Sequence, residues 1–539
     1  MKRPGQELQN FILQLSYSTI FILPGVIIMS RRRSNSRAAR LSSRNQGFNQ
    51  LPFGQLVNPY SPMEILSADQ VETIHQASLG ILRDIGLRVD NPSALKLLAD
   101  LRADVDFDNN RVRLDPALVE ELLLNLPSEF TIHARNPEKT LRVGGNAMVF
   151  ATTCGPSFVS DLDLGRRAGT QQDMENFVKL AGMLNILHHE GGSGPEPLDL
   201  PPTSRHLDMM YAQITLTDKG WHPSWLNTAK RAQDCIEMAK IAMQTDDEGL
   251  RLRPAIIGGI NTNSPLLWDE GQVDGMRVFA EAGQPVHATP FTLAGAMAPA
   301  TVAGAVTLQN AEALGCIAIT QAAVPGAPTF YGHFTSNVDM RTGSPAFGTP
   351  EYAQSVIMSG QLARRYKLPL RSSNTTGSAC VDLQAAYESD MSINACIQAH
   401  VNDMMHAGGW LEGGLTCSFE KLILDAELLQ MQAAFLQPVV VDDDSLGIEA
   451  IAEVGPGGHF FGTAHTLERY EKAFYQPILS DWRNFESWQE DGAKSATQRA
   501  NEIWKKLLNE YEKPPIDPAI EEELQAYMAK RKEEISHEH

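Results

Sequence analysis

PVHATPFTLAGAMAPATVAGAVTLQNAEALGCIAITQAAVPGAPTFYGHF, residues 285–334, is the stretch on which the architecture turns. It opens on a short β-prone run (PVHATP, 285–290), passes a Gly- and Pro-containing turn, and continues as an apolar helical stretch from Thr301 to Ala323. A second turn, VPGAP, leads into another β-prone run, TFYGHF (329–334). Strand, crossover helix, strand is the unit of a parallel sheet, because parallel neighbours need a long crossover between them.

The theme repeats outward in both directions. Upstream lie the strand candidates MVFATTC (148–154), NILHHEG (185–191), WHPSWL (221–226) and AIIGGI (255–260); downstream lie LPLRSS (368–373) and WLEGGLT (410–416). Between them run helical patterns such as TQQDMENFVKLAGML, NTAKRAQDCIEMAKIAM, PEYAQSVIMSGQLARRYK and the long CVDLQAAYESDMSINACIQAHVNDMMHAG (380–408). Eight such units predict an α/β fold of the (β/α)8 TIM-barrel type over 146–444, with its active site on the loops leaving the strand C-termini. An open doubly wound sheet competes, but no G-x-G-x-x-G and no P-loop stands at a strand-to-helix turn.

Outside the repeat, residues 60–145 read as an N-terminal α+β extension. Here MEILSADQVETIHQASLGILRDIGLRV has helical spacing, with Ser67 as N-cap and Gly86 as stop, and short strands follow around RVRLD and FTIHARN. Residues 445–539 are helical and charged, a C-terminal helical cap and tail. Residues 1–59 read as a leader, disordered or mis-started. Residues 11–29, FILQLSYSTIFILPGVIIM, carry no charge, but Gln14, Ser16, Ser18, Thr19 and the Pro24-Gly25 break weaken a membrane anchor, and Met29 offers a second start.

The 539 residues hold 45 Lys and Arg against 65 Asp and Glu, a net charge of −20. A field of that sign repels phosphate and excludes nucleic acid as the main partner; no membrane partner is expected either. The basic arm Arg31–Arg44 reads as a solvated segment rather than a lipid or RNA site. Six scattered cysteines without a C-x-x-C pair fit reduced thiols in a cytoplasmic protein.

On a barrel, the polar groups just past each strand deserve first inspection. His188, His189 and Glu190 precede the loop GGSGPEP, whose glycines allow close backbone approach; the alternative is that these histidines only brace a neighbouring loop. His287 and His333 sit on or just past the fifth and sixth strands, near Phe291, Tyr331 and Phe334; each could equally be a satisfied core histidine. GHFTSNVDMRTGSPAFGTPE (332–351) is the densest loop, with Asn337, Asp339, Arg341 and Glu351, although Asp339 and Arg341 could simply brace it. RSSNTTGSACVD (371–382) offers Asn374, Thr375, Thr376 and Asp382. Trp410 and Glu412, two apart on the eighth candidate strand, would share a face. Aromatic faces plus a carboxylate suit a cation that has no N–H to donate, a quaternary ammonium; the alternative for such rings is plain core packing. His459 and His465 lack the third ligand of an open metal site, so no tightly bound metal is expected, and no nucleophile elbow is present.

Four longer blocks carry a resemblance: DLPPTSRHLDMMYAQITLTDKGW (199–221), QNAEALGCIAITQAAVPGAPTFYGHFTSNVDMRTGSPAFGTPE (309–351), VGPGGHFFGTAHTLERY (454–470) and LSDWRNFESWQEDGAKSATQRANEIWKKLLNEYEKPPIDP (479–518). They resemble the trimethylamine methyltransferase family of corrinoid-dependent enzymes, from about residue 60 to the C-terminus. The resemblance implies a (β/α)8 barrel that moves a methyl group from a methylated amine to the Co(I) corrinoid (cobalamin) of a separate small carrier protein. The archaeal founders carry pyrrolysine, and only standard residues stand here; the chain resembles the branch without it, some of whose members demethylate glycine betaine or related quaternary amines.

That chemistry needs no acid for a quaternary substrate, because the amine leaves neutral; positioning is the main task, worth roughly 7–11 kcal/mol in favourable cases. A tertiary amine would need an acid such as Glu190 or Glu412. A betaine carboxylate would need Arg371, Asn374, Thr375 or His333. The candidate catalytic residues are therefore Glu190, His333 and Glu412, and the candidate substrate-binding residues His189, His287, Phe291, Tyr331, Asp339, Arg371, Asn374 and Trp410. Expected partners are a small methylated amine, a corrinoid protein and, compatibly with helical caps, further copies of the chain. Two other readings stay open: a barrel lyase or hydrolase with His/Glu acid–base chemistry, and a quaternary-amine binder without catalysis.

Overall fold

The computed structural model describes residues 48–223 and 228–538. The chain divides into two compact units, Met1–Asn49 and Gln50–His539, and the second is described here. The apolar run 11–29 and the basic arm lie outside the described residues. Residues 50–59, assigned to the leader above, contribute a strand, Leu56–Val57, antiparallel to Met148 and Ala147.

The fold is mixed α/β. In the N-terminal region the helix Ala68–Gly80 starts at a capping box: the Ser67 hydroxyl accepts from Gln70 N, and the Gln70 side chain accepts from Ser67 N. The chain turns at Gly86 (φ +76°), where a Cβ would stand 2.4 Å from Val112 O, so only glycine fits. Strands Leu87–Val89, Asp104–Asp106 and Arg111–Arg113 join Leu267–Trp268 in a four-stranded sheet.

The core strands are β1 (Ala147–Thr152), β2 (Gly258–Thr262), β3 (Val286–Ala294), β4 (Thr329–Gly332), β5 (Leu370–Ser373) and β6 (Asp403–Gly408). They pair in parallel in the order β2-β3-β4-β5-β6-β1. Single parallel bridges continue from β1 through Ala151–His189, His189–Gly220 and Trp221–Ile256. Every residue of β1, β4, β5 and β6 is buried, as expected of parallel strands covered on both faces. The covering helices are α1 (Gln171–Met183), α2 (Arg205–Leu216), α3 (Ala229–Met243), α4 (Glu270–Glu281), α5 (Val302–Ala323), α6 (Pro350–Tyr366), α7 (Leu383–Ala399) and α8 (Phe419–Phe435). Among the described residues α5 alone is long and apolar enough to cross a membrane, and most of it is buried in this core.

The hairpin Glu129–Ile132 and Leu141–Gly144 closes the N-terminal ends of the strands. Its Ile132, Leu141 and Val143 pack with Val149, Ile257 and Phe330. At the other end of the chain, α9 (Ala496–Glu510) stacks Trp504 on Phe419 of α8, and α10 (Pro518–Glu538) is tied to Asp234 of α3 by Tyr527 and Arg531.

One expected helix and three expected strands are corrected: NILHHEG and WHPSWL join the sheet only through the single bridges of His189 and Trp221, and residues 224–226 of the latter lie outside the described residues. The run 380–408 is not one helix: α7 ends at Ala399, and His400 takes a left-handed conformation (φ +59°) that stops it. Residues 403–408 then form β6, and WLEGGLT forms instead a small hairpin, Trp410–Leu411 with Thr416–Ser418, around the turn Glu412–Gly414. Met and Ala are strong helix formers, but burial on both faces outweighs that local preference. Trp410 and Glu412 therefore do not alternate along one strand, since Glu412 starts the turn with φ +53°.

Candidate functional site

A cavity of about 440 Å³ opens between the core strands and the segments that follow them. Its floor and walls come from Gly259 and Asn261 on β2, His287, Thr289 and Phe291 on β3, Arg371 on β5, Met405 and His406 on β6, with Cys154, His222, Phe334 and Trp410 from the segments that follow strands.

Arg371 is the cationic group of this wall. It is 4% exposed, its Nη1 donates to the backbone carbonyl of His333 at 3.3 Å, and its Nε has no partner. Among the described residues no carboxylate pairs with it. The nearest candidate is Asp403, its register neighbour on β6, whose Oδ1 instead accepts from His189 Nε2 at 3.0 Å. Burial pulls the Arg371 pKa down, against the opposing pull of Asp403. Its guanidinium carbon lies 5.6 Å from the Phe334 ring centre.

Aromatic rings line the chamber beside Arg371. Phe334 meets Trp410 edge-on at 6.1 Å, Phe347 lies 5.1 Å from Trp410, and Phe291 lies 5.2 Å from Phe334. His406 stacks on Trp410 at 5.5 Å. His406 sits at a register break in β6 and has φ +54°, a conformation that costs a non-glycine residue about 1–3 kcal/mol and here re-aims the side chain into the cavity.

The histidines are held uncharged. His222 and His287 share one hydrogen bond, Nε2 to Nε2 at 2.8 Å, so one ring donates and the other accepts. Burial, reinforced by neighbouring positive charge, pushes His222 down to about 3 and His287 and His406 well below the usual histidine range. The Cys154 thiol, 3.5 Å from His406 Nε2, is pushed up to about 11 by burial and stays protonated. Among the described residues no carboxylate lines this cavity, and no cluster of three His, Cys, Asp or Glu is arranged to hold a metal.

The residues singled out from sequence fall into two groups. His287, Phe291, Arg371 and Trp410 are brought together in the cavity wall. The others are placed elsewhere. Glu190 is buried behind it, accepting from Thr152 Oγ1 at 3.1 Å, and burial raises its carboxyl to about 7. His189 donates to Asp403 and to the Glu190 carbonyl; although burial opposes it, that pair of acceptors raises its pKa and favours the imidazolium. His333 lies between Ser372 (3.0 Å) and Ser355 of α6 (2.9 Å). Tyr331 donates to Asn310 of α5 at 2.8 Å, and Asn374 donates to Ala407 O. Asp339 is exposed and accepts from Arg341 N and Thr342 Oγ1 within its own turn. Glu412 accepts from Thr416 and from Arg166 at 2.7 Å; against burial, these hold its carboxylate below the usual value. The glycines of GGSGPEP serve packing: a Cβ on Gly191 would strike Thr152 O and one on Gly194 would strike Phe177.

Sequence reasoning missed His222, His406, Cys154 and Phe347. His222 sits on a candidate strand and could have been found there; His406 was hidden inside the over-long helix.

Comparison with known proteins adds the following. The family model described as Trimethylamine methyltransferase (MTTB) matches residues 30–536. A glycine betaine methyltransferase of Desulfitobacterium hafniense (strain Y51) is 38% identical over 487 residues, 90% of this chain and 100% of that protein. A trimethylamine methyltransferase of Desulfitobacterium hafniense (strain DSM 10664 / DCB-2) is 26% identical, covering 87% of this chain and 94% of the relative. The solved monomethylamine methyltransferase of Methanosarcina barkeri aligns with a TM-score of 0.47 at 11% identity, over 83% of this chain and 93% of that one.

Proposed function

The chain belongs to the trimethylamine methyltransferase family, and from that premise we propose that it takes a methyl group from a quaternary amine bearing a carboxylate, of the glycine betaine type. The observation that carries this reading is Arg371: a buried guanidinium without a carboxylate partner, facing a chamber walled by Phe291, Phe334 and Trp410. Such a cation is costly unless a ligand completes it, and an anionic oxygen pair is the complement of its fork. Ring faces attract an ammonium that cannot donate a hydrogen bond. A zwitterion with its carboxylate on Arg371 and its methylated nitrogen among the rings satisfies both walls at once.

The uncharged histidines fit the same substrate, since imidazolium in that chamber would repel the ammonium. The lack of a lining carboxylate also favours a quaternary over a tertiary amine: the quaternary nitrogen departs as a neutral amine with its electron pair, and no acid has to protonate it. The protein's own work is then to bind, to orient the C–N bond toward the mouth, and to exclude water.

Cys154, which burial holds as a thiol, is a poor nucleophile and is not read as the methyl acceptor. We read that acceptor as the Co(I) corrinoid of a separate carrier protein, which supplies a nucleophile strong enough to need no activation by this chain. The parallel order from β2 round to β1, with the bridges through His189, Gly220 and Trp221, supports reading the core as a (β/α)8 barrel over 146–444, flanked by the 60–145 extension and the 445–539 cap. A cytoplasmic location fits the six unpaired cysteines.

The test is a Co(I)-cobalamin methylation assay followed by absorbance, with glycine betaine, choline, tetramethylammonium and trimethylamine as donors. Methylation with glycine betaine well above the other three supports the proposal. Equal rates with donors that lack a carboxylate, or a preference for trimethylamine, would remove Arg371 from its assigned role.

A further inference from the structure

A second recess, of about 370 Å³, shares no lining residue with the cavity described above. It lies where three core strands begin: Asn146 precedes β1, Leu370 opens β5 and Asn402 precedes β6, and all three line it. The C-terminal ends of α6 and α7 supply most of the remaining wall. Gly360 brings those two helices together, since a Cβ there would stand 2.7 Å from Ala399 O.

Both helices stop on a residue in the left-handed conformation, Lys367 (φ +58°) after α6 and His400 (φ +59°) after α7. That position is ordinarily given to glycine or asparagine, which adopt it at little cost. Here the chain accepts backbone strain twice and gains a basic side chain on the recess each time. A cation at a helix C-terminus also answers the carbonyls exposed there. That demand is met at α7, where the last four carbonyls already accept from Val401 N, the Asn58 amide, Met63 N and Arg364 Nη1.

The donors left over are cationic. Arg364 is half-buried; its Nη1 donates to Ala399 O at 3.0 Å, its Nη2 is buried without a partner, and among the described residues no carboxylate pairs with it. Burial pulls its pKa below the ordinary value, against the pull of Glu64. Lys367 is exposed, and among the described residues its ammonium has neither an ion pair nor a hydrogen bond. The one carboxylate on the wall, Glu129, is already shared with Arg142 at 3.8 Å. In a chain of net charge −20, this recess therefore gathers positive charge that the fold does not neutralise.

We propose that this recess binds a phosphate group, free or carried by a small molecule, between Arg364 and Lys367. The guanidinium offers a planar fork and the ammonium a point charge, the two forms in which proteins commonly meet phosphate. Two fixed cations against one shared carboxylate suit a dianion better than a monoanion such as a simple carboxylate.

The test is a calorimetric titration of the full chain with inorganic phosphate, glycerol phosphate and acetate, on the wild type, Lys367→Gln and the double variant Arg364→Gln/Lys367→Gln. The expected result is saturable phosphate binding that weakens about tenfold in Lys367→Gln, the loss of one charge-assisted contact, and disappears in the double variant, with acetate weaker than either phosphate. Tighter binding of glycerol phosphate than of inorganic phosphate assigns the recess to an ester and equal binding assigns it to the free ion; the proposal stands in both cases. Absence of saturable phosphate binding, affinity unchanged in Lys367→Gln, or acetate binding equal to phosphate overturns it. Arg371→Gln alters the other cavity and is expected to keep phosphate binding, whereas its loss there would place the anion in that cavity and overturn the proposal as well. Should the double variant not fold, Lys367→Gln decides alone, because that side chain is exposed and no contact of the fold depends on its charge.

Discussion

Two buried cations, Arg371 on β5 and Lys421 on α8, differ in what surrounds them. Lys421 is fully buried and completely served: its ammonium donates to Asp425 Oδ1 and to Ser389 Oγ at 2.7 Å, while Asp425 Oδ2 accepts from Gly409 N at 2.8 Å. Arg371 is nearly as buried, has one long hydrogen bond to a carbonyl, keeps an orphan Nε and faces a cavity. The first is finished by the fold; the second is left open by the fold and, on the function proposed above, is finished by a ligand. Burial of charge alone therefore says little, and the presence or absence of a counter-charge within the protein separates a structural pair from a recognition group.

The comparison breaks most visibly at Lys421. Lys421→Met strands the Asp425 carboxylate in the interior and is expected to cost about 3–5 kcal/mol of stability in denaturant unfolding. Arg371→Met strands nothing, so its unfolding free energy is expected to stay level or rise. Equal losses for the two would dissolve the distinction. Next in size is ligand affinity. Arg371→Gln should weaken glycine betaine binding by roughly 2–3 kcal/mol, the worth of a hydrogen bond to a charged group, while leaving tetramethylammonium unaffected. Trp410→Leu should instead weaken both ligands alike, by about 1–2 kcal/mol, because the ring face recognises the ammonium they share. Calorimetric titration of both ligands reads both effects.

The smallest effects lie outside the cavity. Glu412 shares its charge with Arg166 at a partly exposed site, so Glu412→Gln is expected to change ligand affinity by less than about 0.5 kcal/mol, although sequence alone suggested a cation-binding carboxylate. Glu190 is a matter of pH. Its folded pKa, about 7, lies above its ordinary value of 4.5, so its contribution to stability is full below pH 4.5 and is lost as pH rises through 7. Glu190→Gln should therefore flatten the stability profile between those values, measured by thermal unfolding across pH.

Much of this was legible in the chain itself. The alternation around 285–334 locates β3, α5 and β4, and inspecting the polar and aromatic residues on and just past the core strands picks out His287, Phe291 and Arg371, because a side chain on the inner face of a buried parallel strand has few places to point but the core or the cavity. Trp410 was found for a different reason than the one that puts it there: it reaches the chamber from a short hairpin rather than from a core strand. His406 was not legible, since DMMHAG has the composition of a helix and becomes a strand only through burial on both faces. The partners of Glu190, His333 and Glu412 were equally hidden. Thr152, Ser355 and Arg166 are brought to them by chain pairings that no local pattern announces.

The most direct single measurement is a calorimetric titration of the wild-type chain and Arg371→Gln with glycine betaine and with tetramethylammonium. The account predicts that the wild type prefers glycine betaine by tenfold or more, about 1.4 kcal/mol, and that Arg371→Gln abolishes the preference without lowering tetramethylammonium affinity. A variant that keeps the preference would contradict the assignment of Arg371 as the group that reads the carboxylate.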